Sequence, residues 1–251
     1  MTVESSARTL VLLTAAITPK AAGPVAVVDP KVRLSQYRSA LESWIRDTPP
    51  EVHLVILETT GCFTDELRES IPIDARERVV VTVIPASPEA ERRGKGSAEF
   101  EVVERYLSGL RGKYQTIYKV TGRLALEDAA RLVVPLRDEE VRARAALDRS
   151  YVDTRLVGAG RSAWQFLLED MVADIDDMRG VYVEHVLAAR IATGLALRQI
   201  SMSRFPWKPV FLGVSGTTGG IYGGNKFRRL IAVPQRYVES KLAALAQRKQ
   251  V

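Results

Sequence analysis

Five short segments of this sequence carry residue types able to bind or transform an anion. In residues 92–99, Arg-Arg-Gly-Lys-Gly-Ser-Ala-Glu, two glycines bracket Lys95 just ahead of an expected helix. Glycine lets the backbone approach a ligand closely, and a helix start offers free N–H groups to an anion. The Gly-x-x-x-x-Gly-Lys-Ser/Thr spacing of a phosphate loop is absent, so Lys95 is a candidate phosphate or substrate contact in its own right. Glu99 is either a partner of the helix start or a group near the ligand. In residues 118–123, Tyr-Lys-Val-Thr-Gly-Arg, a lysine sits where sheet packing disfavours charge. Lys119 and Arg123, four apart across Thr121 and Gly122, are expected to converge on one pyrophosphate through charge-assisted hydrogen bonds.

The third segment, Asp153-Thr154-Arg155, joins a carboxylate, a hydroxyl and a guanidinium, which make either a site or an internal ion pair. The fourth, Glu184-His185, falls early in a patterned helix with apolar neighbours on both sides. A glutamate turned toward the sheet there is partly desolvated, which raises its pKa and suits it to proton abstraction. His185 is a candidate hydrogen-bonding partner for phosphate or sugar. The fifth, residues 215–224, holds Ser215, Gly216 and Tyr222 in a run containing five glycines in all. Ordering so much glycine is costly in entropy, which favours a loop with a role over a slack connection. Residues 174–177, Asp-Ile-Asp-Asp, contain an Asp-x-Asp that follows no buried strand, so they read as a helix-capping loop.

The elements that must position these groups are legible as alternating apolar runs. Strands are expected at residues 9–17, 52–57, 78–84 and 115–120, each a short continuous apolar stretch ended by small residues or proline. Helices are expected at 32–45, 64–70 and 97–110, the first closed off by Pro49-Pro50. Such alternation implies a parallel sheet with helices on both faces. Further along, a short helix is expected at 126–133, a strand at 151–158, helices at 163–171 and 181–197, and a late strand at 210–214. Residues 134–150 are charged without a clear apolar period and read as a strand end and an exposed loop. Phe205 and Trp207 belong either to the core or to an apolar patch. A basic amphipathic helix is expected at 236–249. With no internal repeat and no low-complexity linker, one domain over 1–251 is the economical reading. In open parallel sheets ligands bind beyond the carboxyl ends of the strands, which directs attention to Thr14 and the residues after it.

Composition narrows the classes. The chain has 251 residues, 46% hydrophobic and 26% charged, ordinary for a globular protein and unlike a disordered or collagen-like chain. Its length allows a core that needs no staples. One cysteine, Cys62, permits no internal disulfide and favours a reducing compartment. Two histidines leave little for a histidine-built metal centre. No apolar run approaches the ~20 residues that span a bilayer, and Glu4 and Arg8 flank too short an apolar run for a signal peptide. Thirty-six basic residues against thirty acidic give a net charge of +6, and 27 of the 36 are arginine, whose planar fork suits phosphate. The same balance also fits an arginine-biased composition with no ligand at all.

In order along the chain, LVLLTAAITP, RLSQYRSALESW, GKGSAE, IYKVTGR, YVDTR, VYVEHVL and VSGTTGGIY resemble bacterial glycosyltransferase-like proteins of surface-polysaccharide biosynthesis. Those proteins carry a GT-A-type, Rossmann-like nucleotide-sugar fold. The resemblance runs from Thr9 to about Tyr222. It implies a nucleotide-binding half over about 9–125 and an acceptor-side half over about 126–235, acting on a nucleotide sugar and a glycan or lipid-linked acceptor. It places Glu184 as the base, with Asp153 second, and Thr14, Lys95 and Glu99 near the donor. It makes Thr154, Arg155 and the 215–222 loop candidates for acceptor or phosphate contacts. The family's usual Asp-x-Asp metal motif after the fourth strand is here Lys-Val-Thr-Gly-Arg, so no divalent metal or other cofactor is expected, and Lys119 and Arg123 are expected to balance the leaving diphosphate. The resemblance further implies a cytoplasmic protein, with the 236–249 helix available to an inner membrane face. The competing readings are a non-catalytic binder of nucleic acid or anionic lipid, and a nucleotidyltransferase on the same sheet. The basic stretches lack interleaved aromatics and any nucleic-acid motif, so no nucleic-acid partner is expected.

Overall fold

The computed structural model describes residues 9–223 apart from 111, 147 and 217, so the 236–249 helix lies outside the described residues. The chain runs β1 (Thr9–Ala15), α1 (Pro30–Asp47), β2 (His53–Glu58), α2 (Thr64–Glu69), β3 (Val79–Val83), α3 (Pro88–Arg93), α4 (Lys95–Gly109) and β4 (Thr116–Thr121). It continues through β5 (Leu124–Leu126), α5 (Ala129–Leu132), β6 (Glu140–Ala145), β7 (Val152–Gly160), α6 (Arg161–Leu168) and α7 (Met171–Asp174). Then follow α8 (Val183–Ala196), β8 (Ser201–Ser203), β9 (Phe211–Val214) and β10 (Ile221–Tyr222).

Seven strands form one sheet in the order β3-β2-β1-β4-β7-β6-β8. The pairs from β3 to β4 are parallel, β7 is antiparallel to both its neighbours, and β6 pairs β8 in parallel. The fold is therefore α/β with a mostly parallel central sheet. Period-2 alternation sends β1 side chains to two separate cores. Val11 and Leu13 join α1 residues Leu34, Tyr37, Leu41 and Trp44 on one face. Leu10 and Leu12 join Phe100 and Val103 of α4, Trp164 of α6 and Leu187 of α8 on the other. Every β1 residue is buried, which is why this strand reads as an unbroken apolar run. Burial of each such leucine contributes roughly 1.5–3 kcal/mol.

The two fully buried indoles, Trp44 and Trp164, also anchor helices to the sheet by hydrogen bonds. Trp44 Nε1 donates to the Leu124 carbonyl and Trp164 Nε1 to that of Ile117, each at 2.9 Å. Local sequence explains the helix starts. Asp29 caps α1 by accepting from the Lys31 amide, with Pro30 in the first turn. Ser87 and Pro88 repeat the device at α3. Gly94, at φ 119°, divides α3 from α4.

Several expectations are corrected. The 126–133 helix is in fact strand β5 followed by the single-turn helix α5. The "strand end and loop" at 134–150 contains the full strand β6, in which Val141 and Ala143 are completely buried while Arg142 and Arg144 are not. The helix expected from residue 97 starts at Lys95 and is preceded by α3. The 163–171 helix is two pieces, α6 and α7. Of the two alternatives for Phe205 and Trp207 the structure takes the core: Phe205 is buried and Trp207 packs half-buried against it.

Candidate functional site

Because β7 runs against β4, its amino end lies at the carboxyl edge of β1 and β4. A cleft of about 860 Å³ opens along that edge. Its floor comes from Thr14 on β1, Thr121 and Arg123 after β4, and Thr154 and Arg155 at the start of β7. Lys95 and Glu99 of α4 and Glu184 of α8 also line it. Ser215 and Gly216, at the tip of the β9–β10 hairpin, and Tyr222 complete it. A second sheet, β10-β9-β5, holds that hairpin, and the Ala26 amide donates to the Gly216 carbonyl at 3.1 Å. Eleven of the sequence candidates thus line one cleft. Lys119, Gly122, Asp153 and His185 do not.

Lys119 is fully buried. Its side chain leaves β4 on the α4 side of the sheet, 2.7 Å from Glu99 Oε1 and 5.1 Å above the Phe100 ring. It also donates to the Thr154 carbonyl at 3.1 Å. The expectation that Lys119 and Arg123 converge on one pyrophosphate is corrected accordingly: Lys119 is held beneath the cleft by internal partners. Thr14 Oγ1 donates to the same Glu99 oxygen. Gly122 donates its amide to the Thr14 carbonyl at 2.9 Å. A Cβ there would sit 2.6 Å from that oxygen, so the close approach of β1 and β4 requires glycine.

Asp153 does not line the cleft. Its carboxylate takes the Arg155 guanidinium in a two-pronged grip at 2.8 and 2.6 Å, with Arg144 3.7 Å away. The reading of Asp153 as an alternative base is corrected to that of a holder of Arg155. Arg155 is further fixed over the rings of Phe211 and Tyr222, at 4.6 and 5.2 Å. Burial works against its charge, but the hydrogen bond and charge of Asp153 overcome that and raise its pKa. His185 is exposed on α8 and packs edge-on against Tyr151 and Tyr182.

Thr154, the neighbour of Asp153, points the other way, as alternation requires. Its Oγ1 donates to Glu184 Oε1 at 2.9 Å, which fixes a half-buried carboxylate in the first turn of α8.

Three cations gather in the same cleft. Arg33 is spent on structure, donating to the carbonyls of Ala16 and Val27 and to the Tyr37 hydroxyl. Lys95 reaches the Pro24 carbonyl. Its pKa is lowered, first by burial and then by the charge of Arg33, with Arg123 adding to the effect against Asp177. Arg123 is 9% exposed, and its Nη1 is buried with no hydrogen-bond partner. A buried guanidinium N–H without an acceptor is costly, and the residue that carries it lines the cleft.

Sequence reasoning missed Arg33 and Asp177. Asp177 Oδ2 accepts the Gly96 amide at 2.7 Å at the start of α4, while Asp176 caps its own short turn. The 174–177 segment is therefore a capping loop as read, but Asp177 caps a helix some 80 residues away. Burial raises the Asp177 pKa, with the Glu99 charge adding to it. Among the described residues no three His, Cys, Asp or Glu side chains cluster in a way that could hold a metal ion, and no helix is long and apolar enough to cross a membrane.

No family model matches the chain and no curated protein matches it. Solved structures align with it at low identity. A protein described as a nucleotide-diphospho-sugar transferase, from Desulfovibrio desulfuricans, aligns over 78% of this chain and 79% of its own, at 11% identity and TM-score 0.45. The glycosyltransferase GlyE of Streptococcus pneumoniae aligns over 78% of this chain at 11% identity and TM-score 0.48, and this chain spans 45% of its length. The 4-diphosphocytidyl-2C-methyl-D-erythritol synthase of Anaerococcus prevotii aligns over 93% of this chain and 99% of its own, at 11% identity and TM-score 0.44. Identities and scores this low leave residue roles and chemistry to be read from this chain itself.

Proposed function

We propose that this protein is a glycosyltransferase that moves a sugar from a nucleoside diphosphate to an acceptor hydroxyl, with fixed cations in place of a metal. The observation that carries this reading is the buried, unpartnered Nη1 of Arg123, a residue lining the cleft that also holds the Thr154–Glu184 pair. Arg123 and Lys95 receive the diphosphate, and the residues after Thr14 line the nucleoside. Glu184 takes the proton of the acceptor hydroxyl as its oxygen attacks the anomeric carbon. The bond from that carbon to the diphosphate oxygen breaks, and the leaving charge falls on Arg123 and Lys95, which need not reorganise to meet it. Glu99 and Lys119 hold Thr14 and β7 in place beneath the reacting groups. A surface-polysaccharide role belongs to the same proposal, since an acceptor glycan is the natural recipient of such a transfer.

The test is a thermal-shift screen of nucleoside diphosphates and their sugars, followed by turnover with the donor that stabilises best. A ligand at 100 times its Kd adds about 2.7 kcal/mol, well within detection. Arg123→Ala should abolish the shift. Glu184→Gln should keep it while turnover falls roughly 10²–10⁴-fold. A screen in which no nucleoside diphosphate stabilises the protein overturns the proposal.

A further inference from the structure

The mouth of the cleft next to Glu184 is unusually apolar for a surface. Tyr151, Met178 and Tyr182 line it and are 44%, 61% and 48% exposed. Tyr182 immediately precedes α8, two residues before Glu184, and Tyr151 immediately precedes β7, three residues before Thr154. The two rings are braced by one side chain. His185 meets Tyr151 edge-on at 6.4 Å between centroids and Tyr182 at 5.9 Å. Edge-to-face packing of this kind fixes ring orientation. Two aromatic rings held in place yet left bare, at the lip of a cleft and beside a carboxylate, make a preformed platform.

We infer that Tyr151 and Tyr182 form the acceptor subsite and that its occupant is an uncharged sugar ring. This rests on the proposed transferase reading and deepens it. A pyranose has one face of C–H groups and a rim of hydroxyls. The face matches an aromatic ring, and the rim places a hydroxyl within reach of Glu184 while others meet the phenolic oxygens. Glu184, the carboxylate beside the platform, disfavours an anionic acceptor there. Of the cations nearby, Arg155 is gripped by Asp153, and Arg144 approaches the same carboxylate. Burial, then the charges of Asp153 and Glu184, raise the pKa of the Tyr151 phenol, against the charges of Arg155 and Arg144. Arg123 and Lys95 line the same cleft and are left for the diphosphate. His185 acts here as a positioning residue for the rings, in place of the direct phosphate or sugar contact expected of it.

The inference is tested by saturation-transfer NMR on the full chain. Methyl glycosides of glucose, galactose, mannose and N-acetylglucosamine are the neutral probes, glucuronic acid and glucose 1-phosphate the anionic ones, each with and without UDP or GDP. At least one neutral glycoside should receive saturation, strongest at the ring protons of one face. That transfer should fall roughly tenfold, about 1.4 kcal/mol of binding, in Tyr182→Ala and recover in Tyr182→Phe. Tyr151→Ala should behave alike, and the diphosphate-induced thermal shift should survive in every tyrosine variant, which shows that they fold. Preference for the anionic probes, or neutral binding untouched by both alanine variants, overturns the subsite. If no glycoside binds while nucleoside diphosphate does, the subsite falls and the transferase reading stands. If glycosides bind the platform but no nucleoside diphosphate binds, the transferase reading falls and a sugar-binding platform remains.

Discussion

At the scale of single residues, the least expected side chain is Lys119. A lysine with no exposure survives in a core only when its charge is met, and Glu99 meets it from the next helix at 2.7 Å. The Glu99 side chain is 27% exposed, so removing the lysine leaves a carboxylate that water partly relieves. Lys119→Met should therefore destabilise the fold by about 3 kcal/mol, the low end for breaking a buried pair. Adding Glu99→Gln should recover part of that loss. Urea unfolding of the two single variants and the double gives the coupling; a value near zero would show that the pair is idle. The position of Lys119 at a strand end was readable from the sequence, but its direction was not. Tyr118 and Val120 occupy one face of β4 and Lys119 the other, and the partner that makes this tolerable comes from a separate helix. No local spacing encodes that choice. Asp153 and Thr154 follow the same logic: adjacent letters, opposite faces, unrelated roles.

At the scale of elements, the parallel half of the fold was legible because β1, β2 and β4 are almost wholly buried and so are mostly apolar. The other half was harder for an equally physical reason. In β6 the stretch Val141-Arg142-Ala143-Arg144-Ala145 alternates cleanly, with Val141 and Ala143 fully buried. Counting that period, rather than the charge, is what would have found it. The antiparallel direction of β7 had no such signal, although it brings Thr154 to the cleft. The β9–β10 hairpin shows how an element can shape the site without contributing a reactive group. A methyl on Gly216 would overlap the Arg123 Nη2 atom, yet the overlapped group is the end of a flexible side chain. Gly216→Ala is thus expected to leave the melting temperature nearly unchanged and to weaken nucleoside diphosphate binding roughly tenfold, about 1.4 kcal/mol, by displacing the guanidinium. Gly122→Ala is the contrast. There the overlap is with the Thr14 backbone carbonyl, so the melting temperature itself should fall. Calorimetry on both variants separates the two outcomes; a Gly216→Ala protein that binds like wild type would mean that Arg123 does not receive the diphosphate.

At the scale of the whole molecule, the cleft gathers Arg33, Lys95 and Arg123 together with Glu184 and the tyrosines. This arrangement predicts a distinctive pH dependence. In the free protein Lys95 is already poised to lose its proton at a lower pH than an ordinary lysine, through burial and the charges of Arg33 and Arg123. An arriving diphosphate adds negative charge and favours the ammonium, so the pKa rises on binding. Below the depressed free value Lys95 is charged in both states and contributes no slope. Between that value and the higher one of the complex, binding must take up a proton, and affinity falls as pH rises. Titration calorimetry with UDP or GDP from neutral pH into the lysine range should show that decline in the wild type and a much flatter profile in Lys95→Met. Fixed cations also predict that the whole curve is unmoved by EDTA. A chelator that abolishes binding would instead require a metal held by carboxylates, Asp177 foremost, and the three cations would then be accessories to it.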